Sequence, residues 1–225
     1  MKTYKIHFIR NGLTASNIDG RYIGRTDEPL SEEGIKQIKQ MCDEYDYPKV
    51  DAVFSSPLSR CTDTAKMIYP DKNPIAIEGL QECNFGEFEG KTAEELEEHP
   101  AFPKWLAGDP NFKPPFGESN EDFAYRICST FEKIVEGVMR SQTKSSAIVT
   151  HGGVIMTLLS AYGLPEAPVH DWITPAACGY TALITPGIWM RGKKFEVYAE
   201  VPEVPGEDDD YDYGMINFDN IDFDE

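Results

Sequence analysis

Arg10, Gly12, Thr14 and Asn17 follow directly on a short β-prone run at residues 4–9 and make a polar, glycine-containing turn at its end. A guanidinium is a rigid fork of donors that matches two phosphate oxygens, and an asparagine amide adds one more donor. Arg10 and Asn17 are therefore candidate phosphate ligands, while Thr14 can tie the turn together through its hydroxyl. Arg60, in Ser55-Ser56-Pro57-Leu58-Ser59-Arg60, is a second such fork. His151 precedes Gly152-Gly153 and an apolar segment with helical character, so its imidazole and the free amide groups at that helix start, Gly152 included, can converge on one anion. Phosphate recognition follows from this set, and charge stabilisation in a transition state is the natural role for His151. Taken singly, an arginine after a strand is usually a surface salt bridge and a histidine at a strand end a satisfied structural residue. Together, in these turns, they read as one anion site.

Such a site needs a scaffold that gathers residues 10, 60 and 151. Periodicity predicts strands at residues 4–9, 52–55, 74–77, 147–150, 180–185 and 195–200, and helices at 31–44, 59–68, 120–140 and 153–162. Ser119 reads as the cap of the third helix, and Gly163-Leu164-Pro165 as the stop of the fourth. Strand and helix alternate. This predicts a single-domain three-layer α/β/α sandwich, a mostly parallel central sheet with helices on both faces, and ligands beyond the carboxyl ends of the strands. Residues 1–202 form the expected domain and 203–225 an acidic, aromatic-containing tail that either stays disordered or docks on its own domain or a neighbour's.

The segment Arg10-Asn11-Gly12-Leu13-Thr14-Ala15-Ser16-Asn17 resembles the signature of the histidine phosphatase superfamily, also called phosphoglycerate mutase-like: Arg-His-Gly-x-Thr-x-x-Asn after a first strand. The loop Asp19 to Ser31 with Gly34 resembles the family's next segment. Ser55-Ser56-Pro57-Leu58-Ser59-Arg60-Cys61-Thr62-Asp63-Thr64-Ala65, then Leu80-Gln81-Glu82-Cys83-Asn84-Phe85-Gly86, then Val149-Thr150-His151-Gly152-Gly153 match further segments in order. The resemblance spans residues 2–199 and departs at one catalytic position, where Asn11 stands for the nucleophilic histidine.

The resemblance implies hydrolysis of phosphomonoesters by a neutral imidazole that attacks phosphorus, forming a phosphohistidine that water opens. It assigns Glu82 as general acid for the leaving alkoxide, with a pKa raised by burial or by the phosphate, and His151 as transition-state stabiliser. Arg10, Asn17, Arg60, His151 and Gly152 would hold the phosphate. Asn11 cannot accept a phosphoryl group, because its amide lone pair is delocalised into the carbonyl, yet it can still hydrogen-bond where the near ring nitrogen would sit. Substrate choice is expected from a lid over residues 91–116 carrying Trp105, Phe112 and Phe116, with Arg21 and Tyr22 from the preceding loop. That span holds only Lys91, Lys104 and Lys113 as basic groups, which favours a phosphatase over a mutase.

Composition narrows the partners. A net charge of −18 excludes nucleic acid as the natural ligand, and ten acidic residues with no basic one lie within 203–225, so a phosphate site in the domain must be local. No apolar run approaches the roughly 20 residues of a spanning helix, and no signal-peptide pattern opens the chain, so a soluble, cytoplasmic protein is expected. Five cysteines without a Cys-x-x-Cys pair fit a reducing compartment and no zinc site. No metal or cofactor is expected, since arginines and histidine supply the positive charge. The expected partner is a small phosphorylated metabolite, and a homodimer is left open. Two function classes remain: a phosphatase whose nucleophile has been replaced, giving an inactive or substrate-trapping form, and a natural non-catalytic relative that binds a phosphorylated ligand or a protein. The first is favoured because Arg60, Glu82 and His151 persist. Mutase-type phosphoryl transfer is the third.

Overall fold

The computed structural model describes residues 2–109 and 112–202; the acidic tail, and with it the expected docking of residues 203–225, lies outside the described residues. Strands β1 (Tyr4–Arg10), β2 (Ala52–Ser55), β3 (Ile75–Ala76), β4 (Ser145–Thr150), β5 (Gly163–Leu164), β6 (Gly179–Ile184) and β7 (Phe195–Val201) form one sheet in the order β3-β2-β4-β1-β6-β7-β5. Only β6 runs against the rest, antiparallel to both β1 and β7, while the other neighbours pair in parallel.

Helices α1 (Ala15–Ile18), α2 (Glu32–Glu44), α3 (Ser59–Ile68), α4 (Ala93–Leu96), α5 (Phe102–Leu106), α6 (Asn120–Ser141), α7 (Gly152–Tyr162) and α8 (Pro186–Gly192) complete the fold. The central strands are buried on both faces, and their side chains alternate between two cores. Ile6, Phe8 and Ile148 face Phe123, Ile127 and Phe131 of α6 and Val154 and Leu158 of α7. Ile9, Ala147 and Val149 face Ile38 of α2 and Cys61 and Ala65 of α3. The three-layer, mostly parallel arrangement expected from the alternation is thus the one observed.

Several boundaries have a local cause. Ser31 caps α2, its hydroxyl accepting from the Gly34 N–H at 2.9 Å, and Ser119 caps α6 through the Asp122 N–H at 3.0 Å. Strand β6 stops at Ile184 because Thr185 is already the N-cap of α8, a helix absent from the sequence reading. Pro186 opens that helix, where its missing N–H costs nothing, and Trp189 then buries itself against Phe131 and Tyr162. The stop at Gly163-Leu164-Pro165 does end α7, and Gly163 and Leu164 at once pair with β7 as β5.

Candidate active site

Register brings the first and last motifs together. β1 and β4 pair in parallel with Arg10 opposite Thr150, and the Asn11 N–H donates to the Thr150 carbonyl at 2.8 Å, so Asn11 and His151 leave the sheet side by side. Arg10 is anchored by its backbone, which donates to Cys178 O at 2.8 Å, and by its side chain, whose Nη1 donates to Thr174 O at 2.7 Å. The turn then tightens at Gly12. A Cβ there would lie 2.5 Å from Ile38 Cδ1, and the Gly12 N–H donates to Thr64 Oγ1 at 2.9 Å. Thr14 and Asn17 form a reciprocal capping box for α1: Thr14 Oγ1 accepts from the Asn17 N–H at 3.3 Å and Asn17 Oδ1 from the Thr14 N–H at 3.2 Å. This leaves the Nδ2 end of Asn17 as its donor for a ligand.

Arg60, near the start of α3, is 2% exposed. Its Nη1 donates to Thr26 O at 2.8 Å and its Nη2 to Gly24 O at 2.7 Å. These bonds fix the guanidinium before any ligand arrives, so its orientation needs no reorganisation on binding. Glu82, 7% exposed, accepts from the Cys83 N–H through Oε1 and from the Gly153 N–H through Oε2, each at 2.9 Å. Burial pushes its pKa up, against the opposing pull of those two amides and of Arg60 and Arg10. Its backbone carbonyl is held in turn by Arg25 and Arg126, each at 3.1 Å.

His151 is the N-cap of α7 and 2% exposed, with Nε2 2.8 Å from Ser56 Oγ. Burial, reinforced by Arg60, Arg126, Arg10 and Arg25, holds its pKa well below the ordinary histidine value. It is therefore a neutral hydrogen-bonding group. Cys61 Sγ lies 3.6 and 3.5 Å from its two ring nitrogens, and burial pushes that thiol far up, so Cys61 packs rather than reacts.

Arg10, Asn11, Asn17, Arg60, Glu82 and His151 line one cavity of about 300 Å³, with Gly152 and Gly153 beside them. Asn11 is 6% exposed, and its Nδ2 donates to the Gly12 carbonyl at 2.8 Å. Gly153 is required by closeness: a Cβ would sit 2.6 Å from Glu82 Oε1. Ile23, Met156, Ile173 and Thr174 also line the cavity, and none was singled out from the sequence.

The five residues expected to form a lid are elsewhere. Tyr22 and Trp105 pack with Phe85, Phe88 and Phe102 at ring separations of 5.5 to 5.9 Å, and Phe112 borders this cluster with Lys104 Nζ 4.4 Å from its ring. Arg21 donates to Gly90 O at 2.7 Å and pairs with Glu95 at 2.9 Å, while Phe116 stands 86% exposed. None of the five lines the cavity. The rings gain more by edge-to-face packing on one another than by covering a polar pocket.

The remaining signals have structural explanations. His7 Nδ1 is 2.9 Å from Thr181 Oγ1 and its Nε2 is 3.1 Å from Ser145 Oγ, a satisfied core histidine. All five cysteines are unpaired. Among the described residues no helix is long and apolar enough to cross a membrane.

A buried and a half-buried arginine fork, a buried carboxyl and a neutral imidazole thus gather at the carboxyl ends of parallel strands in an α/β fold. Residues 6–191 match the model of the histidine phosphatase superfamily (branch 1), and the chain belongs to that family. It is 33% identical to 2,3-bisphosphoglycerate-dependent phosphoglycerate mutase 2 of Gloeobacter violaceus over 67% of this chain and 72% of that protein. It is 30% identical to phosphoserine phosphatase 1 of Hydrogenobacter thermophilus over 65% of this chain and 70% of that protein. The crystal structure of the α-ribazole phosphatase from Shigella flexneri superposes with a TM-score of 0.74 at 23% identity, covering 91% of this chain and all (100%) of that one, a likeness of fold alone.

Proposed function

We propose that this site belongs to a phosphomonoester hydrolase that works through a phosphohistidine, and that the chain with Asn11 binds its small phosphorylated metabolite without completing the covalent step. The observation that carries the reading is the bond from Asn11 Nδ2 to Gly12 O at 2.8 Å. A histidine at this position would use its near N–H for the same bond and present its far nitrogen to phosphorus. Asparagine supplies the near half only.

With histidine in place, the far nitrogen forms a P–N bond as the ester P–O bond breaks, and protonated Glu82 gives its proton to the departing alkoxide. Glu82, now a carboxylate, next takes a proton from water, whose oxygen attacks phosphorus and breaks the P–N bond to release inorganic phosphate. Arg10, Asn17, Arg60, His151 and the Gly152 amide would hold the phosphoryl oxygens throughout. The raised pKa of Glu82 supports its role as acid, which a site that only binds would not need. Both hydrolysis and mutase chemistry occur among the relatives by name. Hydrolysis is favoured here because no lysine from residues 91–116 lines the cavity, and Lys104 lies against Phe112. Unpaired cysteines support a cytoplasmic setting, and two arginines supply the charge that a metal would otherwise bring.

The test compares the chain as it stands with Asn11→His on a panel of small phosphomonoesters, with mass detection of a phosphorylated protein. Activity confined to the histidine form is expected. A natural binding protein is the second reading, favoured by the buried, hydrogen-bonded fit of Asn11. It prevails if the histidine form is inert on the whole panel while the chain with Asn11 binds a phosphorylated partner.

A further inference from the structure

The cavity is lined by two chemically distinct sets of side chains: the charged Arg10, Arg60 and Glu82, and the apolar Ile23, Met156 and Ile173. Each apolar residue is fixed beside a phosphate clamp. Ile23 precedes Gly24, whose carbonyl accepts from Arg60 at 2.7 Å, and Ile173 precedes Thr174, whose carbonyl accepts from Arg10 at 2.7 Å. The Ile173 carbonyl accepts from the Tyr180 hydroxyl at 3.2 Å, which holds that wall in place. Met156 lies one turn along α7 from Gly152 and Gly153. Ile173 is 47% exposed, so the wall reaches the rim where the alcohol part of an ester would lie.

The other arginines of this region are already engaged. Arg126 bonds both oxygens of Glu118 at 2.7 and 2.8 Å, Arg25 pairs with Glu118 at 3.4 Å, and Arg21 pairs with Glu95 at 2.9 Å. Among the described residues no further cation lines the cavity.

We infer that the Ile23, Met156 and Ile173 wall selects phosphomonoesters whose alcohol part is uncharged and at least partly apolar, and rejects those with a carboxylate or second phosphate next to the ester, with Ile173 as the residue that sets this preference. The inference rests on the phosphomonoester-site reading given above. A carboxylate at the wall would lose water without meeting a cation. An alkyl or aryl group would gain by covering the same surface.

Calorimetric titration of the chain as it stands with ethyl phosphate, phenyl phosphate, 2-phosphoglycolate and inorganic phosphate tests this without requiring turnover. Phenyl phosphate should bind more tightly than ethyl phosphate, and 2-phosphoglycolate at least about tenfold more weakly than ethyl phosphate. Ile173→Lys, at a half-exposed position, should close most of that gap by strengthening 2-phosphoglycolate. Equal or tighter binding of 2-phosphoglycolate overturns the inference, as does an unchanged gap in Ile173→Lys, while failure of all four ligands to bind removes the phosphate site itself. An inert Asn11→His form with the tenfold gap intact would overturn the hydrolase reading and leave this selectivity standing.

Discussion

Asn11→His should convert a binding site into a working one. Asn11 is 6% exposed but lines a cavity of about 300 Å³, so the longer imidazole can keep the bond to Gly12 O and extend into open space. It thereby avoids the about 1–3 kcal/mol that overpacking costs in a filled core. Arg10 and Arg60, which with burial hold His151 well below the ordinary value, line the same cavity and would favour the neutral form of the new imidazole, with its lone pair available. Loss of a nucleophile from an otherwise complete site costs about 10⁶ in kcat in a well-measured protease, with about 10³–10⁴ over water surviving in the remaining parts. A gain of at least about 10³-fold, about 4 kcal/mol of barrier, is therefore expected on restoring it. The assay is hydrolysis of p-nitrophenyl phosphate followed by mass detection of a phosphorylated residue 11. Activity should also fall on the alkaline side as Glu82 loses its proton, at a pH above the ordinary glutamate range, because burial raises that pKa. A gain under about tenfold, in a variant that binds inorganic phosphate as tightly as the parent, would refute the reasoning.

Arg60→Ala removes the donors that satisfy the Thr26 and Gly24 carbonyls from a residue 2% exposed; a stability loss of about 2–4 kcal/mol by urea denaturation is expected, and less than about 1 kcal/mol would count against a pinned guanidinium. Gly153→Ala places a methyl 2.6 Å from Glu82 Oε1, so in the Asn11→His background kcat should drop at least about tenfold with phosphate affinity little changed, and equal losses in both would point to general distortion instead. His7 titrates at about 4 in the folded chain against 6.5 when unfolded, so the unfolded state takes the proton first as pH falls. Its contribution, up to about 3 kcal/mol, is present above pH 6.5 and lost between 6.5 and 4. Denaturation curves of the parent and His7→Gln across that window should differ in slope, and parallel curves would contradict a buried neutral His7.

The parts of this site that end strands were legible in the sequence, and the parts that depend on distant packing were not. Arg10 and His151 follow β-prone runs whose alternation with helices already implied a parallel sheet, and the β1 to β4 register then sets residues 11 and 151 side by side. Glu82 lies in no regular element, and its burial depends on amides of Cys83 and of Gly153, the latter 71 residues away, so only its motif marked it. Met156 sits in an apolar helix where nothing local separates a cavity wall from core, because α7 also buries Val154, Ile155 and Leu158. Trp105, Tyr22 and Phe112 show the converse. Aromatic composition near prolines is compatible with a lid or with a packed satellite core, and the structure has the second.

Substitution at residue 11 leaves the surrounding groups fixed because none of their anchoring bonds runs through its side chain. Arg10 is held by Thr174, Arg60 by Thr26 and Gly24, Glu82 by Cys83 and Gly153, and His151 by Ser56. The Asn11 side chain donates to its neighbour's carbonyl, the bond that a histidine would also make. The side chains proposed to hold the phosphate are consequently organised before any ligand enters, and the proposed interaction with a ground-state phosphoryl group would not require a nucleophile. Under the proposed function, exchange of asparagine and histidine at this position would act on the covalent step, with binding set by a scaffold that both residues share.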